Sequence, residues 1–150
     1  LGKNGRLFRV IKFRTMIVDA EASTGPVWAA DRDWRIFKGG WLLRRFRIDE
    51  LPQVINIFKG EMSLVGPRPE RPELAEEFRK HITGFDKRLR TRPGIAGLAQ
   101  VRGHYSTRPV NKLRYDNLYI TRMTPFLDVK LLFQSLLVVI RGHSGPRSRG

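Results

Sequence analysis

Residues 7–16, Leu-Phe-Arg-Val-Ile-Lys-Phe-Arg-Thr-Met, are rich in β-branched and aromatic side chains. They predict a strand whose side chains alternate between two faces, with Lys12 and Arg14 on the same one. Residues 17–22 read as a short helical turn, and 23–40 as irregular, broken by Gly25-Pro26 and Gly39-Gly40. A helical segment follows over 41–47, then a sharp junction at Ile48–Pro52. From about Leu51 to Lys59, the apolar positions Leu51, Val54, Ile55 and Phe58 recur at helical spacing. That pattern predicts a helix burying this face, with Gly60 just past its end.

Met62–Val65 predicts a short strand, and Gly66-Pro67-Arg68-Pro69 an extended turn, because each proline biases its predecessor away from helix. A helix is predicted from Pro72 to about His81, closed by Gly84; residues 86–103 read as a basic, glycine-bearing loop with a strand at Leu98–Val101. Further helices are predicted over 110–122 and 126–141, the last capped by Thr124-Pro125. The apolar run Leu131–Ile140 fits a core helix or a helix lying in a membrane interface, with Lys130 and Arg141 at headgroup level. It is too short to cross a bilayer, which takes about 20 apolar residues. The sum is an α/β (α+β) fold: helices packed on a small sheet in one compact domain, residues 1–142, followed by a disordered basic tail, 143–150.

Charge sharpens this picture. The 150 residues carry 29 Lys plus Arg against 14 Asp plus Glu, a net charge of +15. Such an excess calls for an anionic partner: nucleic acid, a membrane surface or phosphorylated substrates. There is no cysteine, and His81, His104 and His143 have no metal-ligand spacing, so disulfides and thiolate or histidine metal sites are excluded. A metal here would be a hard, oxygen-bound cation such as Mg²⁺.

Against this basic background, Asp49 and Glu50 stand side by side at a proline-marked helix start. Carboxylates there can serve the helix alone, by meeting its free N–H groups and positive dipole end. The same position holds a carboxylate ionised and gathers phosphate oxygens, so two neighbours can divide labour, one attacking phosphorus and the other binding Mg²⁺. Arg68, held between two prolines, is either an exposed turn residue or a pre-ordered ligand for a diphosphate. Lys12 and Arg14 are either solvated or share an anion. The alternating Arg88, Arg90 and Arg92 invite a nucleic-acid reading, but no aromatic stacking platform accompanies them.

Together the stretches Phe8–Met16, Thr24–Ala29, Arg47–Gln53, Gly60–Glu70, Arg92–Gly103 and Leu113–Ile120 resemble, in order, those of the bacterial sugar transferases, the monotopic phosphoglycosyl transferases. One stretch departs: where members often read Asp-Pro-Arg-Ile-Thr, this chain has Asp33-Trp34-Arg35-Ile36-Phe37. The resemblance implies a catalytic domain without the membrane helix that the family carries ahead of the position of Leu1. It implies that Asp49 attacks the β-phosphorus of a nucleoside-diphosphate sugar, usually a UDP-sugar, and that the phosphosugar then passes to undecaprenyl phosphate. Glu50 would be the ligand for Mg²⁺ or Mn²⁺, with Lys12, Arg14 and Arg68 on substrate phosphates, and Arg92 and Gln100 nearer the nucleotide. It further implies a place on the cytoplasmic face of the bacterial inner membrane, with no nucleic-acid partner. A basic nucleic-acid-binding module and an inactive membrane-surface scaffold are the rival expectations.

Overall fold

A computed structural model describes residues 1–22, 25, 33–103 and 108–141. The Thr24–Ala29 motif, apart from Gly25, and the basic tail, together with His104 and His143, lie outside the described residues. Helices dominate: α1 (Lys38–Arg45), α2 (Val54–Phe58), α3 (Pro72–His81), α4 (Leu98–Arg102), α5 (Pro109–Thr121) and α6 (Pro125–Ile140). Two short strands, β1 (Ser63–Val65) and β2 (Gly94–Ala96), pair in parallel with Ser63 opposite Gly94 and Val65 opposite Ala96. Tight 3₁₀ turns at Ile48–Gln53 and Phe85–Arg90 complete the frame.

Local chemistry explains the long helices. Pro72 and Pro109 start α3 and α5, where a missing N–H is harmless. Thr124 accepts a hydrogen bond from Leu127 N at 3.2 Å and so caps α6. One core cluster joins Val65, Ala96, Tyr119 and Leu131, and a second joins Ala75, Ile82, Phe85 and Leu113. Helix α5 contributes to both, so it ties the α6–sheet half to the α3 half.

Four expectations are corrected. Residues 7–15 are extended but form no strand; their backbone is held instead by the Asn56 side chain, which accepts from Ile11 N (3.0 Å) and donates to Arg9 O (2.8 Å). Gly39 and Gly40 do not break structure but lie in the first turn of α1, where Gly40 lets the helix meet the Thr15 backbone; a Cβ there would sit 2.3 Å from Thr15 O. Leu98–Val101 is helical, and the strand falls at Gly94–Ala96 within the expected loop. Glycine is required in that strand, since a Cβ at Gly94 would meet Gly66 N at 2.1 Å.

The fourth correction concerns residues 51–59. They form the end of a 3₁₀ turn and the short α2, and Gly60 follows with φ 74°, as expected of a helix terminator. The buried face, however, is polar. Gln53 and Asn56 are 4% and 0% exposed, whereas Leu51, Val54, Ile55 and Phe58 are 62%, 42%, 47% and 88% exposed. The Asn56 amide is used up inward, on Arg9, Ile11 and Glu61. The apolar stripe is thereby turned to the outside. Among the described residues no helix is long and apolar enough to cross a membrane.

Candidate active site

Asp49 and Glu50 are both buried in the 3₁₀ turn that precedes α2. Neither side chain caps a helix end. Phe13 N donates to Asp49 O at 3.0 Å, so the extended N-terminal segment is tied to the backbone of the pair and carries Lys12 to its edge. Across from the pair, the Pro67-Arg68-Pro69 turn leaves β1. Arg68 Nη2 donates to Glu50 Oε1, while about half of the Arg68 side chain stays open to solvent.

A second layer holds Arg68 from behind. Arg88 Nη2 donates to the Arg68 carbonyl at 2.7 Å. The Arg88 guanidinium is buried, lies 2.9 Å from Asp116 Oδ2 and 3.4 Å from Glu70 Oε1, and covers the Phe85 ring. The contact with Asp116 is a close charge pair rather than a well-aligned hydrogen bond, because Asp116 Oδ2 is left without one. Burial therefore pushes the Asp116 carboxyl up to about 6, against the pull of Arg88.

The two carboxylates of the pair are driven apart. Burial, then the neighbouring Glu50 charge, raises Asp49 above the ordinary carboxylate range, although Arg44, Lys12 and Arg68 oppose this. Burial also pushes Glu50 upward, but Arg68, Arg47 and Lys12 together outweigh it and hold Glu50 below its usual value. Lys12 is itself lowered, first by desolvation of its ammonium and then by Arg68 and Arg44. The arrangement keeps Glu50 as a fixed anion. Asp49 makes no side-chain hydrogen bond with a described residue and is the more basic of the two, which suits a nucleophile.

The structure thus brings together Lys12, Asp49, Glu50 and Arg68. It does not join the other expected residues to them. Arg14 is exposed and bonds no described residue. Arg92 lines a separate groove of about 280 Å³, with Ile57, Leu64, Asp128, Val129 and Leu132 around it. Gln100, in α4, donates to Ile95 O at 2.9 Å. Sequence reasoning gave no site role to Arg44, Arg47 and Asp116, and read Arg88 only as part of an alternating basic run. Arg44 and Arg47 stand within five residues of Asp49, and Asp116 lies within one of the family-like stretches, so the signals were present but unranked. The departing segment 33–37 is anchored internally, with Arg35 Nε and Nη2 forked onto the Asp33 carboxylate at 2.8 and 2.6 Å.

For a metal, no group of three or more acidic or histidine side chains exists among the described residues. Glu50 Oε2 is nevertheless buried with no hydrogen-bond partner. One or two carboxylates plus substrate phosphates are a normal Mg²⁺ environment, so the residues present fit that ion.

The family model for bacterial sugar transferases matches residues 1–142. The chain is 39% identical over 145 residues to the UDP-N-acetylgalactosamine-undecaprenyl-phosphate N-acetylgalactosaminephosphotransferase of Aeromonas hydrophila, covering 95% of this chain and 34% of that protein. It is 39% identical over 146 residues to the UDP-glucose:undecaprenyl-phosphate glucose-1-phosphate transferase of Klebsiella pneumoniae, covering 94% and 30%. It is 33% identical over 155 aligned positions to the undecaprenyl-phosphate galactose phosphotransferase of Salmonella typhimurium, covering 94% and 32%. The chain spans about a third of the length of each.

Proposed function

The chain belongs to the bacterial sugar transferase family, and from that membership we propose that it moves a sugar 1-phosphate from a UDP-sugar to undecaprenyl phosphate. The product would start a surface polysaccharide or glycoconjugate. The observation that carries the reading is the split carboxylate pair: Glu50 locked to Arg68, and Asp49 free beside it under Lys12, Arg44 and Arg68. In the first step an Asp49 carboxylate oxygen attacks the β-phosphorus, and the bond from that phosphorus to the bridging oxygen breaks. The nucleoside monophosphate leaves with the electron pair, and an aspartyl phosphosugar remains. In the second step a phosphate oxygen of the lipid attacks the same phosphorus and Asp49 is released.

The protein's own contribution is positioning and charge, which dominate phosphoryl transfer. Arg68 offers a planar fork to the diphosphate, and Lys12 a point charge. Glu50 would hold Mg²⁺ or Mn²⁺ through the oxygen that Arg68 leaves free. When bound, the ion neutralises diphosphate charge and makes the nucleotide a better leaving group. The apolar outer face of α2 adjoins the dyad in sequence and supports placing the reaction at a membrane surface, where the lipid phosphate lies.

The test is intact-protein mass after incubation with Mg²⁺ and candidate UDP-sugars. A phosphosugar adduct is expected on the wild-type chain and none on Asp49→Asn, whose nucleotide release should fall by at least about 10³-fold. Near-wild-type turnover in that variant would remove Asp49 from the role.

A further inference from the structure

Arg47 immediately precedes the carboxylate pair, and it is held at a double disadvantage. Its backbone is left-handed, with φ 52° and ψ 23°. That conformation is ordinary for glycine and tolerated by asparagine, but strained for a long branched-chain or basic residue. Its side chain is no better served. The guanidinium makes no hydrogen bond or ion pair with a described residue, and Nη1 is buried without a partner. Arg47 as a whole is partly exposed, but a guanidinium nitrogen hidden from water with nothing to donate to is unfavourable.

Among the described residues nothing compensates either feature. Arg47 stays within electrostatic reach of Arg68, Glu50 and Asp49, and desolvation, then Arg68, lowers its hold on its proton. The local charge is basic as well: Lys12, Arg44, Arg47 and Arg68 all bear on Asp49 or Glu50, and Arg68 already occupies Glu50. The missing partner is an anion with several acceptor oxygens. Arg88 offers the contrast within the same fold, being a buried guanidinium with Asp116, Glu70 and a carbonyl around it.

We propose that Arg47 is a substrate-binding residue of this site, a second guanidinium that grips a phosphate group brought to Asp49. Which phosphate it grips rests on the transfer reaction proposed above; that it grips one does not. The strained backbone is then the means of turning the side chain inward at the junction between α1 and the 3₁₀ turn.

The experiment uses the intact chain, with inorganic pyrophosphate as the probe in calorimetry and a melt without ligand. Arg47→Gly should weaken pyrophosphate binding by at least about tenfold. It should also raise the ligand-free Tm by about 3 °C, because it relieves both the strain and the orphaned donor. Arg47→Asn tolerates the same backbone and gives the same two readouts should the glycine variant not fold. Arg47→Lys should recover only a minor part of the affinity. A glycine or asparagine variant that binds pyrophosphate normally, or that melts lower than wild type, would overturn the proposal and make Arg47 structural. Steady-state kinetics then separate the sources: a raised KM for the UDP-sugar assigns the donor diphosphate, and a raised KM for undecaprenyl phosphate alone assigns the acceptor. Should the wild type release no nucleotide from any UDP-sugar while Arg47→Gly still loses pyrophosphate, the transfer reading fails and Arg47 stands. Turnover with unchanged pyrophosphate binding in the variant removes Arg47 alone.

Discussion

Replacing Phe58 with serine is expected to leave the fold as stable as before and to weaken binding to anionic vesicles by about 30-fold. The size of both effects follows from where α2 points. Truncating a core phenylalanine removes about 3–5 kcal/mol of stability. Phe58 is 88% exposed, so little of that is available to lose. Surface changes of this kind stay within about 0.5 kcal/mol. On a membrane the same ring would leave water almost entirely, which is worth about 2 kcal/mol, or about 30-fold in partitioning. Leu51, Ile55 and Val54 add to the same patch, and basic residues near it contribute about 1 kcal/mol each on anionic lipid.

The assay is vesicle flotation over a salt series, beside a thermal melt. Phe58→Ser should lower affinity at every salt concentration while keeping the salt slope, because it removes apolar area and no charge. A drop in Tm of more than about 5 °C would mean that α2 packs its apolar face inward after all. Unchanged flotation would remove this face from membrane contact. Phe133→Ser is the matched control on α6. That helix shows Phe126, Val129, Phe133, Leu136 and Ile140 to the outside at 80%, 66%, 62%, 55% and 65% exposure while burying Leu131 at 1%. The core reading of this run therefore holds on the Leu131 side, and flotation of Phe133→Ser tests the interfacial reading on the exposed side.

Arg68→Lys keeps the charge but loses the planar fork, so it should forfeit most of what Arg68→Ala forfeits, on the order of 2–4 kcal/mol of transition-state stabilisation in nucleotide release. A lysine variant with wild-type kcat/KM would reduce Arg68 to a point charge. Asp116, facing Arg88, Glu70 and Lys112, has its carboxyl raised from 3.8 to about 6 by burial, so its folded form holds a proton that the unfolded chain releases. Its contribution to stability is present below pH 3.8 and lost as pH rises through about 6. Melts of Asp116→Asn should lack that decline, and an unaltered slope between those pH values would place the titration elsewhere.

Much of the helical frame was legible because its signals are local. Pro72 and Pro109 at helix starts, Thr124-Pro125 before α6 and Gly60 after α2 each act within a turn of chain. The carboxylate pair and Arg68 were legible for a related reason, since adjacency and flanking prolines are visible without tertiary structure. What failed depended on distant partners. The stretch 7–15 reads as a strand because it is rich in β-branched and aromatic residues, yet two of its backbone hydrogen bonds run to a side chain 45 and 47 residues away, on Asn56. Leu98–Val101 was a short apolar run, for which periodicity does not separate strand from buried helix. The true strand, Gly94-Ile95-Ala96, has two residues of poor strand propensity and exists because Gly94 lets β1 come close.

The inverted face of α2 makes the sharper case. Apolar residues at helical spacing establish that a helix has two unlike sides, and the rule that the apolar side is buried holds only when water covers the other. Here the polar side has its own work. Gln53 and Asn56 face the interior, Asn56 to secure the N-terminal segment, while Asp49 and Glu50 in the preceding turn face Lys12 and Arg68. A helix cannot turn both sides inward. Once the backbone clamp and the carboxylate pair claim the inner side, Leu51, Val54, Ile55 and Phe58 have nowhere to go but out. Their exposure is then a consequence of the candidate site rather than a packing defect, and it places an apolar surface next to the residue proposed to hand its phosphosugar to a lipid-borne phosphate. The Phe58 experiment therefore tests more than one side chain: it asks whether the chemistry and the membrane contact are two sides of the same short helix.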